Sequence, residues 1–174
     1  MTPVQLTPLS SERGTSLIET SIAMGILLVV TAGLLSMAAL ATSYTENQGH
    51  LGARTTEYAQ DKMEQLLALA YGDATSDTAV FPATTTGGTG LAVGGSSDPA
   101  VVVAGYVDWL NIDGDLQPSV GTTAPSDWFY KRVWQISSPA TNLKQITVTT
   151  IVAHSVARAQ IPQSTVAALK TFPF

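Results

Sequence analysis

Cysteine is absent from the 174 residues. That excludes a disulfide framework, a thiol nucleophile and a thiolate metal site. Charge is scarce as well: Asp, Glu, Lys and Arg together make up 12% of the chain, where an average soluble domain carries about 25%. The eight Lys and Arg are scattered and the net charge is −5. A nucleic-acid binder needs a basic patch against phosphate repulsion, so nucleic acid is excluded as a partner. The two histidines, His50 and His154, lie far apart and stand beside no Cys or paired acids, which argues against a metal centre or an acid–base pair. No serine occupies a nucleophile elbow and no glycine motif suits a phosphate. The chain therefore reads as a non-enzyme without cofactor or metal.

What the chain does have is one long uncharged run, residues 20–45, which is 26 residues without a charge. Within it, residues 22–41 are apolar enough to span roughly 30 Å as a helix, the thickness of a bilayer core. A single membrane-spanning helix is expected. Arg13 and the initial amine precede it, and no cation follows until Arg54, so the N-terminus is expected in the cytoplasm and the bulk of the chain outside it. Residues 1–14 carry Pro3 and Pro8 and form no helix of their own. A secretory signal peptide is the competing reading, with Ala39-Leu40-Ala41 as its cleavage pattern. Against it stand an apolar stretch longer than the usual ~7–15 residues, the single preceding Arg13, and Glu19 at the head of the run.

Glu19 is the residue to explain. A carboxylate at membrane depth costs about 2.5–3.5 kcal/mol, so it needs a partner or must reach the headgroups. Arg13-Gly14-Thr15-Ser16-Leu17-Ile18-Glu19 and the uncharged helix after it resemble the processing site of type IV pilins and pseudopilins. The resemblance implies cleavage after Gly14 by a prepilin peptidase and methylation of the new Thr15 amine. It makes Glu19 the fifth residue of the mature chain. There the family's glutamate compensates the N-terminal ammonium of an adjacent subunit, less as glue than as a register mark. Thr15 departs from the usual Phe or Met at the first mature position. Ser36 stands at the twenty-second mature position, where many major pilins have proline; that leans toward a minor subunit.

Beyond the membrane the helical pattern continues. Leu51, Arg54, Tyr58, Met63, Leu66, Leu67 and Ala70 form the predicted apolar stripe. Glu46, Glu57, Asp61, Lys62 and Glu64 are assigned to the solvated face. The helix is predicted to end at Tyr71-Gly72-Asp73 with Gly72 as its C′ residue. From Thr15 this makes roughly 85 Å of helix. Residues 73–100 are rich in Thr, Gly and Ser. Turns are predicted at Gly87-Gly88 and Gly94-Gly95, with a short strand near 90–93; the segment reads equally as a contact surface or a solvated loop.

Strands are predicted at 101–110, 128–136, 144–152 and 165–172, with a turn at 111–115 and a loop at 137–142. Asn111, Asp113 and Asp115 alternate like the first ligands of a calcium loop, but the twelfth-position glutamate is missing, so a plain turn is preferred. Trp109, Trp128 and Trp134 are assigned to core packing rather than to a binding platform. Arg132-Val133-Trp134, Lys144-Gln145-Ile146-Thr147-Val148 and the helical stretch 53–66 resemble minor pilins of the pilus-modification type.

The organisation expected is a leader at 1–14, a membrane or filament-core helix at 15–45 and an amphipathic second half at 46–72. A variable loop at 73–100 and an antiparallel-sheet head at 101–174 complete it. The fold class is α+β, a long helix on an antiparallel sheet. The resemblance implies a structural minor subunit of a type IV pilus, acting in initiation. It implies as partners a prepilin peptidase, other pilin or pseudopilin subunits and an inner-membrane assembly platform. Location is then the bacterial inner membrane, followed by the filament. A type II secretion pseudopilin is the related alternative. A membrane-anchored or secreted binding domain with no filament role is the alternative of another class.

Overall fold

The computed structural model describes residues 17–80, 82–153 and 161–172. It is an α+β fold. One helix, α1 (Leu17–Ala68), precedes six strands: β1 (Gly94–Gly95), β2 (Val107–Leu110), β3 (Leu116–Gln117), β4 (Tyr130–Ala140), β5 (Leu143–Val152) and β6 (Gln163–Thr171). The chain divides into two compact units, Met1–Thr45 and Glu46–Phe174.

In the first unit, the described part of α1 exposes its apolar side chains on every side, from Leu17 and Ile18 through Leu40. It is long and apolar enough to cross a membrane. Five of its hydroxyls, on Ser21, Thr31, Ser36, Thr42 and Thr45, donate to the carbonyl four residues back at 2.8–3.0 Å. A hydroxyl in hydrocarbon without a partner costs several kcal/mol, and this back-bonding removes that cost.

In the second unit, α1 lies on a sheet of order β3-β2-β4-β5-β6, with β1 also beside β4. Every pairing is antiparallel. The helix buries Thr55, Tyr58, Ala59, Lys62, Met63 and Leu66, a stripe with spacings of three and four. Ala59, Met63 and Leu66 meet Trp134 and Ile136 of β4 and Ile146 and Val148 of β5. Tyr58 packs with Leu110, Tyr130 and Val152. Burying a Leu, Ile or Val side chain of this kind is worth about 1.5–3 kcal/mol. The opposite face of the sheet holds a smaller core of Val107, Trp109 and Val133 under Val102 and Trp128.

Several boundaries differ from the sequence reading. The first long strand begins only at Val107, because Tyr106 N–H closes a turn on Val103 O over Gly105, whose φ is +80°. β4 continues through Pro139 to Ala140 across an irregular register between Ser137 and Ala140. The predicted loop 137–142 thus shrinks to Thr141 and Asn142; proline is tolerated where the ladder is already broken. Gly94 and Gly95 form a short strand rather than a turn, paired with Ile136 and Gln135. The described last strand begins two residues earlier than predicted, at Gln163.

The helix stops at Ala68, three residues short of the prediction. Gly72 is not its cap, since it lacks a left-handed φ. Lysines from the sheet take one carbonyl of the last helical turn and others just beyond it instead. Lys170 Nζ donates to Leu67 O and Leu69 O. Lys144 Nζ donates to Tyr71 O and Leu91 O at 2.7 Å. Cations at a helix C-terminus also meet the negative end of its dipole.

Candidate functional site

Gly14 and Thr15 lie outside the described residues. Glu19 lies in the first described turn of α1, exposed and surrounded by exposed Leu17, Ile18 and Ile22. A carboxylate there interacts favourably with the positive end of a helix dipole. The described part of this first unit offers a continuous apolar surface with one acid on it, and apolar surface of that extent marks a lipid or protein contact.

The second unit holds a constellation that residue-type reasoning missed. Lys62, assigned to the solvated face, is 0% exposed, as is Asp108 of β2. Lys62 Nζ donates to Asp108 Oδ2 at 2.8 Å and to Thr78 O and Thr78 Oγ1, each at 2.8 Å. Its three protons are thereby used. The ammonium also sits 4.1 Å from the centroid of the Trp134 ring, within cation–π range. Arg132 of β4, 3% exposed, donates to the same Asp108 Oδ2 at 2.9 Å. Its other terminal nitrogen reaches Asp61 Oδ2 at 2.7 Å and Tyr58 O at 3.3 Å. Two cations and two carboxylates balance, with Asp61 half in solvent.

Burial drives the Lys62 pKa down to about 8, against the opposing pull of Asp108. Among the described residues, Asp108 Oδ1 and Arg132 Nε have no hydrogen-bond partner. The cluster ties α1 to β2, to β4 and to Thr78. Two signals for it were available. Lys62 falls in phase with Thr55, Tyr58, Ala59 and Leu66. Asp108 is the one charge in β2, and Arg132 of β4 is its register partner.

Residues 73–80 and 82–91 are ordered by their own polar groups. Asp73 Oδ1 accepts from Thr75 N and Ser76 N, and Oδ2 from the Ser76 hydroxyl at 2.6 Å. The Ser76 bonds hold the Asp73 carboxyl below its ordinary pKa. The chain then doubles back through Asp77 and Thr84, and Leu91, fully buried, anchors it in the core.

The other residues noted in the sequence are not brought together. Trp134 faces the helix, Trp109 the opposite side of the sheet, and only Trp128 stacks edge-on with Trp109, at 4.9 Å. The Asn111–Asp115 turn uses its own side chains: Asn111 Oδ1 accepts from Asp113 N and Asp115 N, and Asn111 Nδ2 donates to Asp115 Oδ2. Gly114, at φ +93°, supplies the left-handed residue. Among the described residues no three His, Asp or Glu side chains converge on a metal position. His50 is exposed on α1, and His154 lies outside the described residues. Comparison with known proteins finds no matching family model, no similar curated protein and no similar solved structure.

Proposed function

We propose that this chain is a structural, minor subunit of a type IV pilus, processed after Gly14 and assembled through the first half of α1. The observation that carries the reading is the conjunction of Gly14 and Glu19, five mature residues in, with the helix behind them. That helix exposes apolar side chains on all sides up to Leu40 and continues onto an antiparallel sheet. Before assembly the apolar half rests in the inner membrane, with the head on the periplasmic side. A prepilin peptidase removes the leader and methylates Thr15, and an inner-membrane assembly platform transfers the subunit to a filament. There the lipid contact is exchanged for contact with neighbouring helices. Gly25 and Gly33, which have nothing within 4 Å of an added Cβ, allow those helices to approach closely. Glu19 then meets the methylated amine of a neighbour and favours one axial offset.

N-terminal analysis of the mature protein tests this reading. A chain beginning at methylated Thr15 is expected. A chain beginning at Thr42 establishes a secretory signal peptide and refutes the proposal.

A further inference from the structure

We propose that α1 carries a hinge at residues 46–52, a short stretch in water that unwinds and rewinds while the helix on either side of it stays wound. Neither support of α1 holds it. On one side the uncharged run ends at Thr45. A helix that spans hydrocarbon stays closed, because a broken backbone bond finds no water there. On the other side packing on the sheet takes hold at Thr55, the first buried residue of α1. Before it only Leu51, half-buried beside the cluster of Tyr58 and Tyr130, touches the core. Glu46, Asn47, Gly49 and His50 are exposed and Gln48 is half-buried. A helix draws most of its stability from a packed face, and fewer than ~12–15 residues of it in water are marginal alone.

Local sequence gives no support in place of packing. Asn47 and His50 are poor helix formers, and Gly49 and Gly52 are poorer still. Each glycine lowers the local helical equilibrium about fivefold against alanine. Among the described residues no close approach accounts for either glycine, since a Cβ added at Gly49 or Gly52 meets nothing within 4 Å. The Gly52 carbonyl is shared besides. Thr55 Oγ1 donates to it at 2.9 Å and Thr56 Oγ1 at 3.0 Å, and such hydroxyls compete with the helical N–H and bend the helix. Gly25 and Gly33 are as open, but they lie in the apolar run, where no water takes up a freed carbonyl.

The two threonine hydroxyls also set the limit of unwinding. Ser164 Oγ of β6 lies 2.9 Å from Thr55 Oγ1 and 2.8 Å from Thr56 Oγ1. Ala59, Met63 and Leu66 hold the turns that follow in the core. Opening therefore stops at Thr55 and leaves the sheet packing untouched. The hinge lets the head turn on its anchor without unseating either. It rests on the membrane-anchored reading proposed above, since only a fixed first half makes the stretch a joint.

Hydrogen exchange of the full-length chain in detergent micelles, read by peptide mass spectrometry, tests the hinge. Amides of residues 48–53 are expected to exchange about a hundredfold or more faster than those of residues 27–40 and 59–66. Gly49→Ala/Gly52→Ala is expected to slow the 48–53 amides roughly thirtyfold. Exchange at 59–66 is expected to stay unchanged in that variant, as it does when the head folds normally. Protection at 48–53 equal to that at 59–66 overturns the inference, as does exchange at 48–53 indifferent to the two alanines. The anchor is judged separately from the same data. Slow exchange at both 27–40 and 48–53 refutes the hinge alone. Fast exchange at 27–40, with 48–53 still outpacing 59–66, refutes the membrane span alone.

Discussion

Asp108→Ala isolates the worth of the buried cluster. The substitution leaves Lys62 and Arg132, 0% and 3% exposed, without the carboxylate oxygen that both touch at 2.8 and 2.9 Å. Removing one partner of a buried ion pair costs about 3–5 kcal/mol, because an uncompensated charge stays behind. Here each cation keeps something: Lys62 retains both Thr78 oxygens, and Arg132 retains Asp61 and Tyr58 O. The lower end, about 3 kcal/mol, is therefore expected. For a unit of this size that corresponds to a fall in Tm of about 10 °C. All three tryptophans lie in the second unit, so their fluorescence reports its unfolding in the full chain held in detergent micelles. Lys62→Met removes the stranded cation and keeps an unbranched side chain to lie against Trp134. The double variant Asp108→Ala/Lys62→Met is expected to be more stable than the sum of the single losses by about 2 kcal/mol. A loss below ~1 kcal/mol for Asp108→Ala, or strict additivity in the double variant, would refute the account of the cluster as mutually dependent buried charges.

The depressed Lys62 pKa carries a sign of its own. With the folded value at about 8 and the ordinary one at 10.5, the unfolded chain binds more protons between those limits, so this group makes stability rise with pH there. Denaturant titrations at pH 8 and pH 10 are expected to show the native chain gaining roughly 2 kcal/mol relative to Lys62→Met; parallel behaviour of the two counts against the assignment. The same comparison cancels Lys131 and Lys170, also lowered, and Tyr58 and Tyr130, both raised. Glu19→Ala is expected to insert and be cleaved normally while the sheared-filament fraction falls about tenfold against the membrane fraction on immunoblots; normal incorporation removes the register role. Gly114→Ala places a Cβ onto the Tyr58 hydroxyl at a left-handed φ of +93° and is expected to cost about 2 kcal/mol in chemical unfolding.

Local periodicity made much of this fold legible. The 3.6-residue stripe marked the helix, and the alternation through Lys131-Arg132-Val133-Trp134 and Gln145-Ile146-Thr147-Val148 marked the central hairpin, because both patterns are written by neighbours in sequence. What escaped the reading is set by distant partners. Lys62 was assigned by its charge although its helical phase placed it inward, and only Asp108 and Thr78 make that burial tolerable. The helix end was assigned to Tyr71-Gly72-Asp73, whereas α1 stops at Ala68 and a lysine 103 residues away in sequence takes the Leu67 carbonyl. The order in 73–91 comes from single side-chain-to-backbone bonds such as those of Asp73, which leave no periodic trace. The first long strand was extended too far because Val101-Val102-Val103 favours β structure locally while Gly105 turns the chain. Glu19 was legible as an anomaly, and it stands exposed among exposed apolar side chains.

The lysine clasp at the end of α1 has a consequence for biosynthesis. Leu67 O in the last helical turn and Leu69 O just beyond it find their lysine donor only when β6 is in place, across 103 and 101 residues of sequence. Closure of so long a loop comes late, after the shorter-range β4–β5 hairpin. A ribosome releasing the chain before β6 is complete leaves the helix frayed at one end and β5 bare at its edge. Either defect is a mark that a protease can read. The cell thus has a way to discard an unfinished head, and the two lysines are the tally of a finished one.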